Sequence, residues 1–307
     1  LRVPQIFLST AACRFPLPRL RATSPVRRAW EYRGDASARL EPIERIYTQL
    51  VADADSDDTS ALLNRFNFRF QTGDFEGALA DIDAAIARDA SADNYLSRGE
   101  VHYNLGDFDA ALADHVAVAD IHPDYTINSR RIELLALLGR ADEAVALVDE
   151  FAYLFEDPKS EAQLRSYALG FAGQAQEGLD LLRDELSIEP EDAGLLNSAC
   201  WHAGIFDLVT EETLETCTRA VEEAQNSSGA IDSRALALYR MGRAEEALRD
   251  LDVALARSPG QHSSRYLRGV VKRSLGREAE AREDIESALH AAPGIASLYS
   301  LWGLPPK

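Results

Sequence analysis

The residues best suited to nucleophilic chemistry stand together at Cys200-Trp201-His202, where a thiol lies two residues from an imidazole. A cysteine nucleophile needs a base within hydrogen-bond reach of its sulfur. Neighbouring residues on a helix point to different sides, so these two side chains are not expected to cooperate. We interpret Cys200 instead as a small packing residue between two helices.

Other chemically active residues are scattered along the chain. The histidines show neither HExxH nor any comparable metal-ligand spacing. They are His102, His115, His122, His202, His262 and His290. No GxSxG motif and no phosphate-cradling glycine loop occurs. The sequence therefore predicts no catalytic residue, no metal site and no cofactor.

The three cysteines, Cys13, Cys200 and Cys217, form a sparse, odd-numbered set without a CxxC pair. Such a set is not typical of a disulfide framework, so we expect none. The cysteines therefore do not indicate whether the compartment of the protein is oxidising or reducing.

The charge of the chain excludes one class of partner and favours another. Its 307 residues carry a net charge of −19, which would repel the phosphates of a nucleic acid. An acidic surface favours a basic polypeptide partner. Residues 1–33 alone carry +6, so the rest carries −25, and we interpret residues 1–37 as an extended arginine-rich arm or linker. No run approaches the roughly 18 apolar residues of a transmembrane segment.

An internal repeat organises most of the sequence. Six turns read alike, and their glycines are Gly73, Gly106, Gly139, Gly173, Gly242 and Gly276. An alanine usually follows five residues later, and a proline often closes the unit. The units start near residues 59, 92, 125, 159, 193, 228 and 262, a period of 33 to 35 residues.

This pattern predicts helical hairpins stacked in a row. Glycine ends the first helix of each unit because it accepts a left-handed backbone, and proline ends the second. A single hairpin cannot bury its apolar face alone, so neighbouring units must stack. We therefore expect an all-α array over 59–294, with capping helices at 38–58 and 295–307.

These turns and spacings resemble the tetratricopeptide repeat (TPR) family. The resemblance implies a right-handed α-solenoid of helix-turn-helix repeats, with a concave groove that binds other polypeptides and no catalytic activity. The fifth unit departs most, because Asp207 stands where the other turns have glycine.

A narrower resemblance concerns the segment 195–201, the segment 231–235 and the C-terminal tail. They look like bacterial proteins in which the repeats follow a transglutaminase-like domain, although such proteins usually have arginine where Ala199 stands. This would place the chain in a bacterial cytoplasm or periplasm, downstream of a catalytic domain.

The TPR resemblance assigns groove positions to the first helix of each unit. They mix aromatic, amide and charged side chains, which suits binding of an extended peptide. The partner-binding set is Asn67, Phe70, Tyr103, Asn104, Arg131, Gln163, Arg165, Tyr167, Phe171, Asn197, Trp201, Tyr239, Arg240, Tyr266 and Arg273. The alternative is that Tyr103, Tyr239 and Tyr266 simply pack between hairpins.

A row of arginines eight residues before each turn could bind carboxylates or phosphates. It comprises Arg65, Arg98, Arg131, Arg165, Arg234 and Arg268. Four units also have an aspartate eight residues after the turn, at Asp81, Asp114, Asp250 and Asp284. The matching period predicts ion pairs inside each hairpin, and it leaves Arg131 and Arg165, which lack that aspartate, as the better candidates for binding a partner.

Three hypotheses of function follow. The first is a scaffold that binds a peptide or helix in the groove. The second is an accessory region that positions substrate for an upstream transglutaminase-like domain. The third is an oligomerisation module that uses the apolar tail around Leu298 and Trp302. The oligomeric state stays open.

Overall fold

A computed structural model describes residues 36–55, 58–122, 125–155 and 157–304, so most of the arm expected at 1–37 lies outside the described residues. Within those ranges the chain is all-α, with a single 3-10 turn at Ala152–Leu154. The sixteen helices there are α1 Ala36–Asp53, α2 Ser60–Thr72, α3 Phe75–Arg88, α4 Ala92–Leu105, α5 Phe108–Ile121, α6 Tyr125–Leu137, α7 Ala141–Phe151, α8 Pro158–Phe171, α9 Ala175–Ile188, α10 Ala193–Ile205, α11 Glu211–Glu223, α12 Ser228–Arg240, α13 Ala244–Arg257, α14 His262–Ser274, α15 Glu278–Ala291 and α16 Ile295–Leu301. None of the described helices is long and apolar enough to cross a membrane.

Helices α2 to α15 pair in order as seven hairpins, which we number 1 (α2 and α3) to 7 (α14 and α15). The six repeated glycines all adopt left-handed backbone, for example Gly73 with φ 82° and Gly276 with φ 76°. In hairpin 5, Asp207 adopts the same conformation with φ 57°, so the turn is conserved although its glycine is missing. The all-α repeat fold expected from the sequence is confirmed.

Ion pairs cross-link the two helices of each hairpin that has both charges, as the matching periodicity predicts. The closest N···O distances are 2.6 Å for Arg65–Asp81 and Arg98–Asp114, and 2.7 Å for Arg234–Asp250 and Arg268–Asp284. Each guanidinium donates to both oxygens of its carboxylate, which is a strong arrangement. The arginine row is therefore structural in these four hairpins.

The expectation that the cysteines form no disulfide is wrong. Cys200 of α10 and Cys217 of α11 are disulfide-bonded, with their Cα atoms 4.9 Å apart. Both lie at small, buried positions on the facing sides of one hairpin. Counting cysteines missed the bond, because the information lies in where the two residues fall within the repeat.

Reduction of this disulfide should destabilise hairpin 5. The bond closes a loop with a sequence separation of 17, and a loop of that length contributes about 3 kcal/mol by restricting the unfolded chain. We expect dithiothreitol to lower the free energy of unfolding by about that amount in urea titrations followed by circular dichroism. A double variant, Cys200→Ala with Cys217→Ala, serves as the control and should not respond to dithiothreitol.

The array does not remain open at its end. The segment that links α15 to α16 reaches back to hairpin 2, where the Gly294 amide donates to the Asn104 carbonyl at 2.7 Å. The approach is so close that a Cβ on Gly294 would lie 2.4 Å from the amide nitrogen of Gly106. The end of α15 also lies against the turn of hairpin 1, since a Cβ on Gly73 would stand 3.2 Å from the carbonyl oxygen of His290. The last hairpin thus meets the first two.

Candidate binding groove on the inner face

The inner face of the array carries a helix of the chain itself. We call residues 295–304 the tail, and we call the surface of α4, α10, α12 and α14 that it contacts the inner groove. A capping helix was expected at the tail, covering the last hairpin or contacting a neighbour. It packs on the last hairpin, but it also reaches hairpins 2, 5 and 6.

Two predicted aromatic residues hold the tail. The ring of Trp201 meets the edge of Trp302 with ring centroids 5.1 Å apart. The buried ring of Tyr266 lies 4.7 Å from that of Tyr299, whose hydroxyl donates to the carbonyl of Ser263 at 3.0 Å. These contacts combine apolar area with a hydrogen bond at the rim of the ring.

A predicted cation holds the end of the tail. The Arg240 guanidinium donates to the carbonyl of Trp302, and also to the carbonyls of Gly204 at 2.9 Å and Ile205 at 3.3 Å. Arg240 therefore joins the C-terminal end of α10 to the C-terminal end of α16. Free carbonyls at a helix end are suitable partners for a cation.

Other predicted groove residues lie in the middle hairpins. The Tyr103 hydroxyl donates to Glu133 at 2.9 Å, and Arg130 stands 4.5 Å above its ring. Tyr167 is buried against Phe171, at a centroid distance of 5.0 Å. The contacts of Tyr103 couple hairpins 2 and 3 across the inner face, whereas the Tyr167–Phe171 pair lies within α8 of hairpin 4.

A small cavity remains in the same region. Gln163 donates to the Ser198 hydroxyl at 2.8 Å, and both line this cavity together with Tyr167 and Trp201. Its volume suits a single water molecule and no larger ligand. The cavity thus belongs to the packing between hairpins 4 and 5.

The structure does not bring all predicted site residues together. Phe70 packs inside hairpin 1 against Phe75, and Asn67 bonds to its own helix at the Leu63 carbonyl. Arg165 pairs with Asp149 at 2.7 Å and with Glu161 at 2.8 Å.

The remaining predicted residues are Arg131, half-buried on α6; Asn197, buried on α10; Tyr239, half-buried on α12; and Arg273 on α14, which pairs with Glu278 at 3.5 Å. Among the described residues no three metal-ligating side chains are grouped.

A buried acid lies close to the tail. Burial raises the pKa of Asp232 on α12 to about 6, and the hydroxyl of Ser264 on α14 opposes this shift. Burial also raises the pKa of Tyr299 well above its usual range, and the nearby charge of Asp232 adds to that effect. The groove therefore contains a carboxylate whose ionisation is unfavourable in the folded protein.

Asp232→Asn should stabilise the protein at neutral pH. Because the folded pKa of Asp232 is raised, its contribution is fully favourable below about pH 4 and is lost as pH rises through 6. At pH 7.5 we expect the variant to unfold with a free energy about 2 kcal/mol higher than wild type, and at pH 5 the gain should shrink. Urea titrations at both pH values measure this, and the exposed Asp180→Asn is the control.

Comparison with a family model decides what the hairpins are. The model of the tetratricopeptide repeat matches residues 63–126, which cover hairpins 1 and 2 up to the start of α6, and residues 233–294, which cover hairpins 6 and 7. Hairpins 1, 2, 6 and 7 are tetratricopeptide repeats. The three middle hairpins repeat the same pairing of helices but have no match of their own.

The chain shares its fold with a solved structure. A tetratricopeptide repeat protein from Parabacteroides merdae is 15% identical, with a TM-score of 0.51, and the alignment covers 80% of this chain and 98% of that one. A thermophilic TPR protein from Thermus thermophilus is 18% identical, with a TM-score of 0.47 and coverage of 65% and 99%. No curated protein matches this sequence.

Sequence reasoning missed the residues that fill the inner groove. Ile295, Leu298, Tyr299 and Trp302 were assigned to a cap, whereas they face the groove. The available signal was their spacing, which places all four on one side of a helix. What the sequence could not give was the hairpin that this side would meet.

Proposed function

We propose that this TPR array is a non-catalytic scaffold that binds a peptide or a partner helix in its inner groove. One observation carries the proposal: the inner groove already accommodates a helix, through Trp201, Tyr266 and Arg240. Two of these contacts use aromatic area, and the third uses a backbone carbonyl, which any polypeptide possesses. Aromatic residues and arginine dominate the binding energy of protein interfaces.

Electrostatics support a polypeptide partner with basic flanks. The net charge of −19 attracts cationic segments and accelerates their encounter with the array. The groove residues supply the short-range contacts. The net charge therefore attracts the partner at long range, and the groove residues bind it at short range.

A library of displayed helical peptides, selected on the full chain, tests the proposal. Trp201→Ala should weaken binding of the selected peptides by about thirtyfold or more, because buried tryptophans are frequent hot spots worth at least about 2 kcal/mol. Tyr239→Ala should weaken it less, since Tyr239 is half-buried. Circular dichroism reports whether each variant keeps its helices.

The matched control is Tyr153→Ala, which removes a ring that is 78% exposed just after α7. This variant should bind the selected peptides as wild type does. Peptides that bind folded Trp201→Ala and Tyr239→Ala with unchanged affinity would show that binding occurs elsewhere.

A further inference from the structure

The tail has the pattern of a helix that binds in a groove. Its buried side chains, Ile295, Leu298, Tyr299 and Trp302, follow the spacing i, i+3, i+4 and i+7. The opposite side includes Leu301, which is 48% exposed. The tail is thus amphipathic, and its apolar side is the one that contacts the inner groove.

The tail is also separable from the repeats. No helix follows it in the described residues, and it is joined to α15 through the short segment 292–294. Helix α16 has seven residues, whereas isolated helices shorter than about 12 residues are marginal in water. Its helical state therefore depends on the groove, and its release would leave the seven hairpins paired.

Two backbone contacts hold the tail, one at the residue that precedes it and one at Trp302. Gly294 is held at the turn of hairpin 2 through its bond to Asn104, and the carbonyl of Trp302 is held by Arg240 of hairpin 6. The tail consequently spans the groove, and a second helix could not take this position at the same time.

We propose that the tail is an intramolecular competitor, and that the partner is an amphipathic helix with apolar and aromatic residues at i, i+3, i+4 and i+7 that replaces it. This inference rests on the proposed function and specifies its partner. A tethered segment acts at an effective concentration in the millimolar range, so it reduces the apparent affinity of any partner. Weakening the tail should therefore strengthen partner binding.

Fluorescence anisotropy with labelled synthetic peptides tests the competition. The first probe is a peptide with the sequence of residues 293–304. The second is an alanine-based helix that carries Ile, Leu, Tyr and Trp at the four spacings, and its scrambled form is the negative probe. Wild type should bind both helical probes weakly and the scrambled probe not at all.

Full-length variants open the tail in two ways. Gly294→Ala places a Cβ against the backbone of Gly106, and Trp302→Ala removes the contact with Trp201. Both should bind the two helical probes at least about tenfold more tightly than wild type. Leu301→Ala changes the exposed side of the tail and should behave as wild type.

The site of binding is checked with a double variant. Adding Trp201→Ala to Trp302→Ala should abolish the gain, because it removes the receiving ring. Tail variants that keep their helical circular dichroism but gain no affinity would overturn the proposal. So would equal binding of the scrambled probe, or dimers of Gly294→Ala that exchange tails, since the occupant would then be a second copy of the chain.

Hydrogen exchange of the wild-type protein tests the inference without depending on the folding of any variant. The amides of 297–302 should exchange through a local opening, faster than those of α12 and α14. Equal protection of the tail and α14 would make the tail a permanent part of the fold and overturn the inference.

Peptides selected on the full chain could then still bind another face, so the proposed function would survive. If the tail opens but the chain binds no foreign peptide, the proposed function is refuted instead.

Discussion

Replacing Asp284 by alanine is expected to lower the free energy of unfolding by about 3–5 kcal/mol. The carboxylate of Asp284 accepts from Arg268 and from Lys272, each at 2.7 Å, and both it and Lys272 are buried. The variant would remove the anion that both cations share, and it would leave Arg268 with Asp252 at 2.9 Å and the buried Lys272 with only Glu280, at 3.8 Å. Losing one partner of a buried ion pair costs more than the pair contributes, because the remaining charge stays desolvated.

The matched control is Asp250→Ala in hairpin 6. Among the described residues Asp250 pairs with Arg234 alone, and it is more exposed than Asp284, so we expect a loss of about 1–3 kcal/mol. Urea titrations followed by circular dichroism measure both variants, and hydrogen exchange locates the loss. Equal losses in the two hairpins would show that Lys272 adds nothing to the network.

Hairpin 7 matters for the groove as well as for stability. Its helix α14 supplies Tyr266 and the carbonyl of Ser263, which together hold Tyr299 of the tail. Asp284 lies on α15, and its carboxylate bonds to Arg268 and Lys272 of α14 rather than to the tail. Faster exchange of the tail amides in Asp284→Ala would therefore report coupling through the hairpin.

The repeat could be read from the sequence because each hairpin has the same local requirements. A left-handed turn, a small residue in the hairpin and an arginine–aspartate pair are all local or nearly so, and their period appears in the sequence. Asp207, which replaces the turn glycine in hairpin 5, occupies the same position in the repeat as the glycines of the other units. The ion pairs could be predicted for the same reason, since partners 16 residues apart face each other in every unit that has both.

The site could be predicted only in part, because it depends on contacts between distant units. Arg240 and Trp302 are 62 residues apart, and Gly294 and Asn104 lie far apart in the chain; no period links either pair. Such contacts follow from the curvature of the whole array, which accumulates small rotations per repeat. Trp201, Arg240 and Tyr266 could be assigned to the inner face from their positions in the repeat alone. That the tail occupies this face could be seen only in the folded structure, where the last hairpin meets the first two.

Acidification is expected to destabilise the array by about 4 kcal/mol between pH 7.5 and 5 through two buried histidines. Burial lowers the pKa of His115 to about 3, helped by the charges of Arg130 and Arg131, and burial lowers that of His202 to about 4. Both folded pKa values lie below the ordinary value of 6.5, so the unfolded chain takes up these protons first. The stability that the neutral rings provide is complete above pH 6.5 and is lost as pH falls toward 4.

Asp232 acts in the opposite direction over the same range, because its raised pKa makes folding more favourable as it is protonated. It should offset about 1 kcal/mol of the loss at pH 5. Urea titrations at the two pH values measure the net effect.

The double variant His115→Leu with His202→Gln removes both imidazoles, and the glutamine amide can still donate to the Ala175 carbonyl that His202 contacts at 2.7 Å. In this variant the change on acidification should be small, because Asp232, whose pKa is raised, opposes His262, whose pKa is lowered by burial and by the charge of Arg265. The exposed His122→Gln, at the end of α5, should keep the wild-type loss. An unchanged acid loss in the double variant would assign the pH dependence to other groups.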